Sequence, residues 1–117
     1  MRRPIPASPT FRRGDIWWVD LDPTRGAEIR KRRPAVVLSA DPLNRARRTV
    51  IVVPLSTSPS PRPPVTVTTP SAGPGGVAVC DQIRAVDKAR LTERAGCLSA
   101  ADLAALQLAL RQILEIS

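Results

Sequence analysis

The sequence predicts a single, mostly β domain with one C-terminal helix, folded as a small, strongly curved β-barrel. The chain has 117 residues, which is the size of one domain with one hydrophobic core. Short runs rich in valine and isoleucine are separated by clusters of proline, glycine and serine, the pattern of strands joined by turns and loops. Only the C-terminal stretch has helical periodicity. Five or six short strands with long loops and a terminal helix favour a curved barrel.

The predicted strands follow from β-branched or alternating segments bounded by breakers. In chain order they are 16–21, 34–39, 49–55, 65–68 and 77–84, followed by a turn and a short sixth strand that ends near Cys97. Residues 41–44 form a turn or a single helical turn. The Ser/Pro-rich stretch 56–64 is predicted to be a loop within the domain. Since the chain contains only three aromatic residues, the core is expected to be aliphatic.

The C-terminal helix is predicted to begin at Ser99, which forms a capping box with Asp102. Apolar residues then recur at helical spacing and form one stripe, which is widened by Leu108 and the alanines: Leu103, Leu106, Leu110, Ile113 and Leu114. This stripe either closes an open barrel or joins a dimer interface.

Charge and composition limit the classes of function. The net charge is +8, with 18 Lys+Arg against 10 Asp+Glu, and the excess of arginine favours an anionic partner rich in phosphate. No segment approaches the roughly 20 apolar residues of a membrane span. Residues 1–12 have the composition of a disordered basic arm, which leaves 13–117 as the domain. Cys80 and Cys97 lack metal-ligand spacing, and are expected to be reduced and buried in a cytoplasmic protein.

Two absences exclude common catalytic machinery. The chain contains no histidine and no tyrosine, so zinc hydrolases with histidine ligands, Ser-His-Asp hydrolases and two-histidine ribonucleases are excluded. Any catalysis must use Arg, Lys, Asp, Glu, Ser, Thr or Cys.

A basic run that enters a β-branched strand is the first candidate for a site. Residues 30–33 are all cationic, and Pro34 then starts the predicted strand 34–39. Proline restricts the residue before it to extended conformations, so Arg33 is expected to be fixed where a loop becomes a sheet. A rigidly held arginine at such a point suits a phosphate-handling site.

Three blocks of the sequence together resemble the PemK/MazF toxin family. They are RGDIWWVDLDP at 13–23, RPAVVLS at 33–39 and DQIRAVDKARL at 81–91, with Gly26-Ala27-Glu28 between the first two. The resemblance implies an SH3-like barrel of the PemK/CcdB type, a homodimer, and a cognate antitoxin of the MazE type whose C-terminal segment covers the RNA groove. It also implies a toxin that cleaves single-stranded mRNA at short sequences and so inhibits translation. The family needs no metal or other cofactor, and leaves a 2′,3′-cyclic phosphate and a 5′-hydroxyl.

The resemblance also assigns site residues. Arg33 matches the catalytic arginine, and Ser56 stands where the family has a catalytic Thr or Ser. From its place five residues before Arg33, Glu28 could accept the 2′ proton, hydrogen-bond a base edge or pair with a nearby arginine. Further residues are expected to bind the RNA: Arg30, Lys31, Arg32, Arg47, Arg48, Thr57, Gln82 and Arg84. Gln82 and Arg84 alternate with Ile83 and are expected to lie on one face of the strand 77–84. Of the adjacent Trp17 and Trp18, one is expected in the core, and the other on a base or in the dimer interface.

Two other classes of function remain open from the sequence. The same barrel serves the CcdB-type toxins, which bind DNA gyrase and catalyse nothing. A non-catalytic RNA-binding module would also explain the charge of +8. Neither class requires both Arg33 and Ser56.

Overall fold

A computed structural model of the protein describes residues 9–21, 32–57 and 60–116. Within these residues seven strands and two α-helices form. The strands are β1 (Asp15–Asp20), β2 (Arg32–Val37), β3 (Thr49–Ser56), β4 (Thr66–Thr68), β5 (Val77–Val79), β6 (Arg84–Asp87) and β7 (Leu91–Cys97). The helices are α1 (Asp41–Ala46) and α2 (Ala100–Leu114), and three short 3₁₀ turns cover Pro70–Ala72, Cys80–Gln82 and Lys88–Arg90.

All strand pairs are antiparallel and belong to one curved sheet. Its order is β4-β5-β3-β2-β1-β7, and β6 also pairs with β3. The predicted class, mostly β with a C-terminal helix, is therefore confirmed. The sheet is not closed, because β4 and β7 do not pair with each other within the described residues. Two register shifts between β1 and β7 add to the curvature, since irregular pairing bends and twists a strand.

The long strand β3 organises the sheet because its two halves have different partners. Residues 49–52 pair with β6, whereas Leu55 and Ser56 pair with β5. The 3₁₀ turn Cys80–Gln82 carries the chain from one half to the other. The single strand predicted over 77–84 is therefore wrong: the 3₁₀ turn interrupts it, and pairing with β3 resumes only at β6.

Buried side chains form two clusters on the two faces of the sheet. We call the first the α2-side core, because Leu106 and Ala109 of α2 pack in it with Val36, Val53 and Leu55. We call the second the Trp17 core, which contains Trp17, Phe11 and mostly aliphatic residues that include Val37, Val52 and Val86. Consecutive strand residues alternate between the two clusters, as the period of a β-strand requires.

Helix α2 begins as predicted, although the capping box is only half formed. The Ser99 hydroxyl accepts a hydrogen bond from the Asp102 N–H at 3.1 Å. The carboxylate of Asp102 does not return to Ser99; it accepts hydrogen bonds from both the N–H and the hydroxyl of Ser71. The Ser71 hydroxyl in turn accepts from the Ser99 N–H at 3.0 Å. Ser71, in the 3₁₀ turn Pro70–Ala72, thereby ties the loop before β5 to the start of α2.

The apolar stripe of α2 is partly buried in this chain and partly exposed. Leu106 is fully buried, and Leu103, Leu110 and Ile113 pack partly against the α2-side core. Leu108 and Leu114 remain 57% and 49% exposed. The stripe therefore packs only in part against this chain, and the alternative that it joins a dimer interface stays a prediction.

Three other predictions, on the N-terminal arm, the cysteines and membrane-spanning segments, can be compared with the structure. The predicted arm extends to Arg12, but Phe11 is buried with its ring centroid 4.7 Å from that of Trp17, and residues 1–8 lie outside the described part. Both cysteines are free, and Cys80 is buried as predicted, whereas Cys97 is exposed. No helix among the described residues is long and apolar enough to cross a bilayer.

Candidate functional site

A cavity of about 700 Å³ lies where β2 begins and β3 ends. Its lining residues come from β1 to β6 and their connections: Leu21, Arg33, Pro54, Leu55, Ser56, Val65, Thr66, Val79, Asp81, Gln82 and Arg84. The wall is part aliphatic and part polar, and four of these side chains are predicted site residues. They are Arg33, Ser56, Gln82 and Arg84.

Strand periodicity explains why three of the predicted residues meet there. Arg33 has the same parity as Val37 on β2, Ser56 the same parity as Val52 on β3, and Arg84 the same parity as Val86 on β6. These three valines are in the Trp17 core. Because alternate residues of a strand share a face, Arg33, Ser56 and Arg84 extend that face beyond the core. The β2–β3 register ends with Ala35 opposite Pro54, and Arg33 and Ser56 each lie two residues beyond this pair, at the cavity.

Arg33 presents an available charge to the cavity. Its side chain is exposed, and it has no hydrogen bond or ion pair among the described residues. Val19 of β1 is its neighbour in the sheet, so its backbone lies within a hydrogen-bonded strand. A guanidinium held in this way can donate two hydrogen bonds to a phosphate without losing another partner.

The side chain of the neighbouring Arg32 is engaged by other residues of the protein. Its guanidinium lies 5.5 Å from the centre of the Trp18 ring, donates to the Thr92 hydroxyl at 3.0 Å, and pairs with Glu93 at 3.6 Å. It does not line the cavity. The structure therefore does not bring Arg32 to the site with which the sequence grouped it, because adjacent strand residues point to opposite faces.

Ser56 and Thr57 are also separated by their position. Ser56 ends β3, is half-buried and lines the cavity, whereas Thr57 follows the strand, is exposed and is not part of the described wall. Of the two hydroxyls that the sequence could not separate, Ser56 is the one beside Arg33.

The 3₁₀ turn Cys80–Gln82 supplies Gln82 and one residue that the sequence prediction missed. Asp81 lines the cavity next to Gln82 and brings a carboxylate to it. Gln82 and Arg84 do both reach the cavity, but strand alternation is not the reason, because Gln82 lies in the turn and only Arg84 in β6. The signal for Asp81 was present in the sequence: an acidic residue inside the motif DQIR.

Arg84 has a second role at the edge of the cavity. Its Nη1 donates to the backbone carbonyl of Leu21 at 3.3 Å, and Nη1 of Arg90 donates to the carbonyl of Asp20 at 3.1 Å. These two bonds hold the end of β1 against β6 and the turn after it, although β1 and β6 are not paired in the sheet. Arg84 therefore positions one wall of the cavity as well as lining it.

The remaining predicted residues lie elsewhere. Arg47 and Arg48 precede β3 at the end opposite to Ser56, and Arg48 is roughly 26 Å from Ser56 along the strand. They are exposed and do not line the cavity. Glu28, Arg30 and Lys31 lie outside the described residues.

Among the described residues, Cys80 and the acidic side chains form no further nucleophilic or metal-binding site. Burial, with a smaller effect of the neighbouring Asp81, raises the pKa of the Cys80 thiol to about 11. The thiol is therefore protonated at neutral pH and packs in the α2-side core instead of acting as a nucleophile. Within the described residues, no three Cys, Asp or Glu side chains lie close enough together to hold a metal ion.

Known proteins resemble the chain in sequence and in fold. The family model described as PemK-like, MazF-like toxin of type II toxin–antitoxin system matches residues 12–114. Endoribonuclease MazF9 of Mycobacterium tuberculosis is 39% identical over 115 residues, which cover 91% of this chain and 98% of that protein. Endoribonuclease PemK of Escherichia coli is 35% identical over 94 residues, covering 76% of this chain and 71% of the relative.

A solved complex agrees with these relatives. The MazE–MazF structure (Form-II) from Deinococcus radiodurans superposes with a TM-score of 0.82 at 28% identity, covering 94% of this chain and 100% of that one. The match of the family model over most of the chain, the identity to MazF9 and the shared fold lead to one conclusion. This chain belongs to the PemK-like, MazF-like toxins of type II toxin–antitoxin systems.

Proposed function

We propose that this toxin is an endoribonuclease that cleaves single-stranded mRNA at short sequences without a metal ion, and so inhibits translation and growth. The named endoribonucleases among its relatives support the activity. The observation that carries the proposal is the cavity, which brings the exposed Arg33 to Ser56, Gln82 and Arg84.

The chemistry is attack of the 2′-oxygen on the adjacent phosphorus. The 2′-hydroxyl loses its proton, the O2′–P bond forms, the P–O5′ bond breaks, and the 5′-oxygen takes up a proton. The products are a 2′,3′-cyclic phosphate and a 5′-hydroxyl. The reaction passes from the starting diester to these products through a pentavalent phosphorane with two negative charges. Preorganised donors stabilise this phosphorane more strongly than the starting diester.

Arg33 and Ser56 suit the phosphorane. The guanidinium of Arg33 donates two parallel hydrogen bonds to the non-bridging oxygens, and the Ser56 hydroxyl holds a phosphoryl oxygen. Because a guanidinium keeps its proton in proteins, Arg33 acts through its charge and its hydrogen bonds.

Two carboxylates are candidates to take the 2′ proton. Asp81 lines the cavity, and Glu28 lies in the preceding loop outside the described residues. The remaining wall orients the RNA: Gln82 offers both donors and an acceptor to a base edge, and Arg84 offers those donors that Leu21 does not use. Arg30, Lys31 and Thr57 are proposed to hold the flanking nucleotides.

The partners follow the same proposal. The toxin is neutralised by a cognate MazE-like antitoxin, in keeping with the solved complex of MazE with MazF from Deinococcus radiodurans. It acts as a homodimer in the cytoplasm, with no cofactor and no attachment to a membrane.

The test is incubation of the wild-type chain with a long single-stranded RNA in EDTA, followed by mapping of the ends. Discrete cuts with 2′,3′-cyclic phosphate and 5′-hydroxyl ends are expected. An RNA with one 2′-deoxyribose at a mapped cut should stay intact at that position and be cut at the others. Binding without cuts would contradict the proposal and favour a non-catalytic RNA-binding module. Cutting that persists at the deoxyribose would refute attack by the 2′-hydroxyl.

A further inference from the structure

A second concentration of positive charge surrounds α1, away from the cavity. Five cationic side chains form what we call the α1 basic surface: Arg13, Arg45, Arg47, Arg48 and Lys88. Backbone contacts show that they are neighbours: the Arg13 N–H donates to Asp41 at 2.7 Å, and the Lys88 N–H donates to the Arg48 carbonyl at 2.9 Å. Arg45 lies in the last turn of α1, and the Arg47 N–H caps that helix.

The carboxylates beside this surface do not neutralise it. Asp41 and Asp87 are the two acidic side chains in these contacts, against five cations. Each already accepts a backbone hydrogen bond, Asp41 from Arg13 at 2.7 Å and Asp87 from Ala89 at 2.8 Å.

Three of the arginine side chains, Arg45, Arg47 and Arg48, are exposed, whereas the half-buried Arg13 donates through Nε to the Leu38 carbonyl at 3.1 Å. Arg48 reaches Asp87 only at 4.0 Å, and its side chain is 93% exposed, so this pair contributes little. Arg45 and Arg47 are exposed and have no side-chain partner among the described residues. This surface therefore presents guanidinium groups to solvent in the form that binds phosphates best.

The α1 basic surface lies away from the cavity in which cleavage is proposed to occur. Strand β6 runs from Arg84, at the cavity, to Asp87, whose neighbour Lys88 belongs to the α1 basic surface. The near edge of the surface, at Lys88, is therefore roughly 13 Å from Arg84 along the chain, and Arg48 is roughly 26 Å from Ser56 along β3. At roughly 3.4 Å per stacked nucleotide, these distances correspond to about four to eight nucleotides. Nucleotides at the cut are out of its reach, whereas those several positions away are not.

We propose that the α1 basic surface is a second RNA-binding surface, which holds the phosphate backbone of nucleotides outside the cleaved sequence. The proposal rests on the endoribonuclease function above and extends it. Contacts to phosphates carry no base readout, so the surface raises the affinity for long RNA without changing which sequence is cut.

The test compares a 5-nucleotide and a 25-nucleotide RNA that contain the same mapped cut. The double variant Arg47→Ala/Arg48→Ala should lower kcat/KM for the long RNA about 10-fold and leave that for the short RNA within about 2-fold. The slope of log kcat/KM against log salt for the long RNA should become shallower by about 1.4, since each phosphate contact on a single strand contributes about 0.7. Arg111→Ala, which removes one exposed charge from α2, is the control and should leave both RNAs unaffected.

Several results would overturn the proposal. Equal losses on both RNAs would mean that the arginines act on the cavity or the fold, and unchanged kinetics on the long RNA would mean that they bind nothing. If a 25-base-pair DNA binds more tightly than the 25-nucleotide RNA, and this binding depends on Arg47 and Arg48, the surface would be assigned to duplex DNA. If the wild type cuts no RNA, the proposed endoribonuclease function is wrong, and the surface is then tested by the Kd for the 25-nucleotide RNA. Weaker binding by the double variant would support the RNA-binding surface, and an unchanged Kd would overturn it.

Discussion

Arg32 and Arg33 are adjacent in sequence but have opposite surroundings. Arg32 is held by Trp18, Thr92 and Glu93, whereas Arg33 faces the cavity without a partner among the described residues. The difference follows from strand geometry, since consecutive side chains point to opposite faces. Charge alone makes these two residues equivalent. Pro34 and the family motif singled out Arg33, and the structure shows that Arg33 lines the cavity whereas Arg32 does not.

The two hydroxyls at the end of β3 give a prediction at the same scale. Ser56→Ala should lower kcat roughly 10- to 100-fold, because a hydrogen bond to a charged phosphoryl oxygen contributes roughly 1.5–3 kcal/mol. Thr57→Ala should change kcat less than about 3-fold, because Thr57 is exposed and not part of the described cavity wall. Single-turnover cleavage of one RNA by both variants measures the difference. A larger loss in the Thr57 variant would show that the wrong hydroxyl is assigned.

Cys80 gives a prediction for stability against pH. Burial raises the pKa of its thiol from an ordinary value of 9.0 to about 11 in the folded chain. The folded state then binds the proton more tightly than the unfolded state, so this stabilisation is complete below pH 9 and is lost as the pH rises to about 11. Between these pH values the wild type should lose up to about 3 kcal/mol more unfolding free energy than Cys80→Ala. Urea unfolding across this range is the measurement, and parallel curves for the two proteins would contradict the assignment.

At the scale of elements, the hydrogen bonds around the start of α2 should matter for stability. Asp102 accepts two hydrogen bonds from Ser71 in a separate loop and also lies in the first turn of the helix, where a negative charge is favourable. Asp102→Ala should lower the unfolding free energy by about 1–2 kcal/mol. Gln107→Ala, an exposed substitution in the same helix, should stay within about 0.5 kcal/mol. Urea unfolding at one protein concentration compares them, and equal effects would mean that the Ser71 contact contributes nothing.

The elements also show where sequence patterns were sufficient. The Ser99 cap and the spacing of Leu103, Leu106 and Leu110 predicted α2 correctly, because both signals are local. The division of residues 77–84 into a strand, a 3₁₀ turn and a second strand was missed. Its cause is not local: β3 offers separate halves to β5 and β6, and the connecting turn must step between them.

On the scale of the whole molecule, the sheet separates two basic regions. One contains Arg33 and Arg84 at the cavity, and the other is the α1 basic surface at the start of β3. The sequence predicted Arg33 as catalytic and placed Arg47, Arg48 and Arg84 in one RNA-binding set. Their separation depends on strand length and direction, which charge patterns do not encode. Asp81 was missed for a similar reason, since its approach to the cavity depends on the 3₁₀ turn.

The central claim is that the cavity at the ends of β2 and β3 is where RNA is cut, with Arg33 stabilising the phosphorane. The most direct test compares Arg33→Ala with Arg32→Ala on one mapped RNA, with both the single-turnover rate and the Kd measured. Arg33→Ala should lose roughly 10³-fold or more in rate and retain much of the binding. Arg32→Ala should cut within about 3-fold of the wild-type rate, because its side chain does not line the cavity. Comparable rates for the two variants, or a larger loss for Arg32→Ala, would contradict the account.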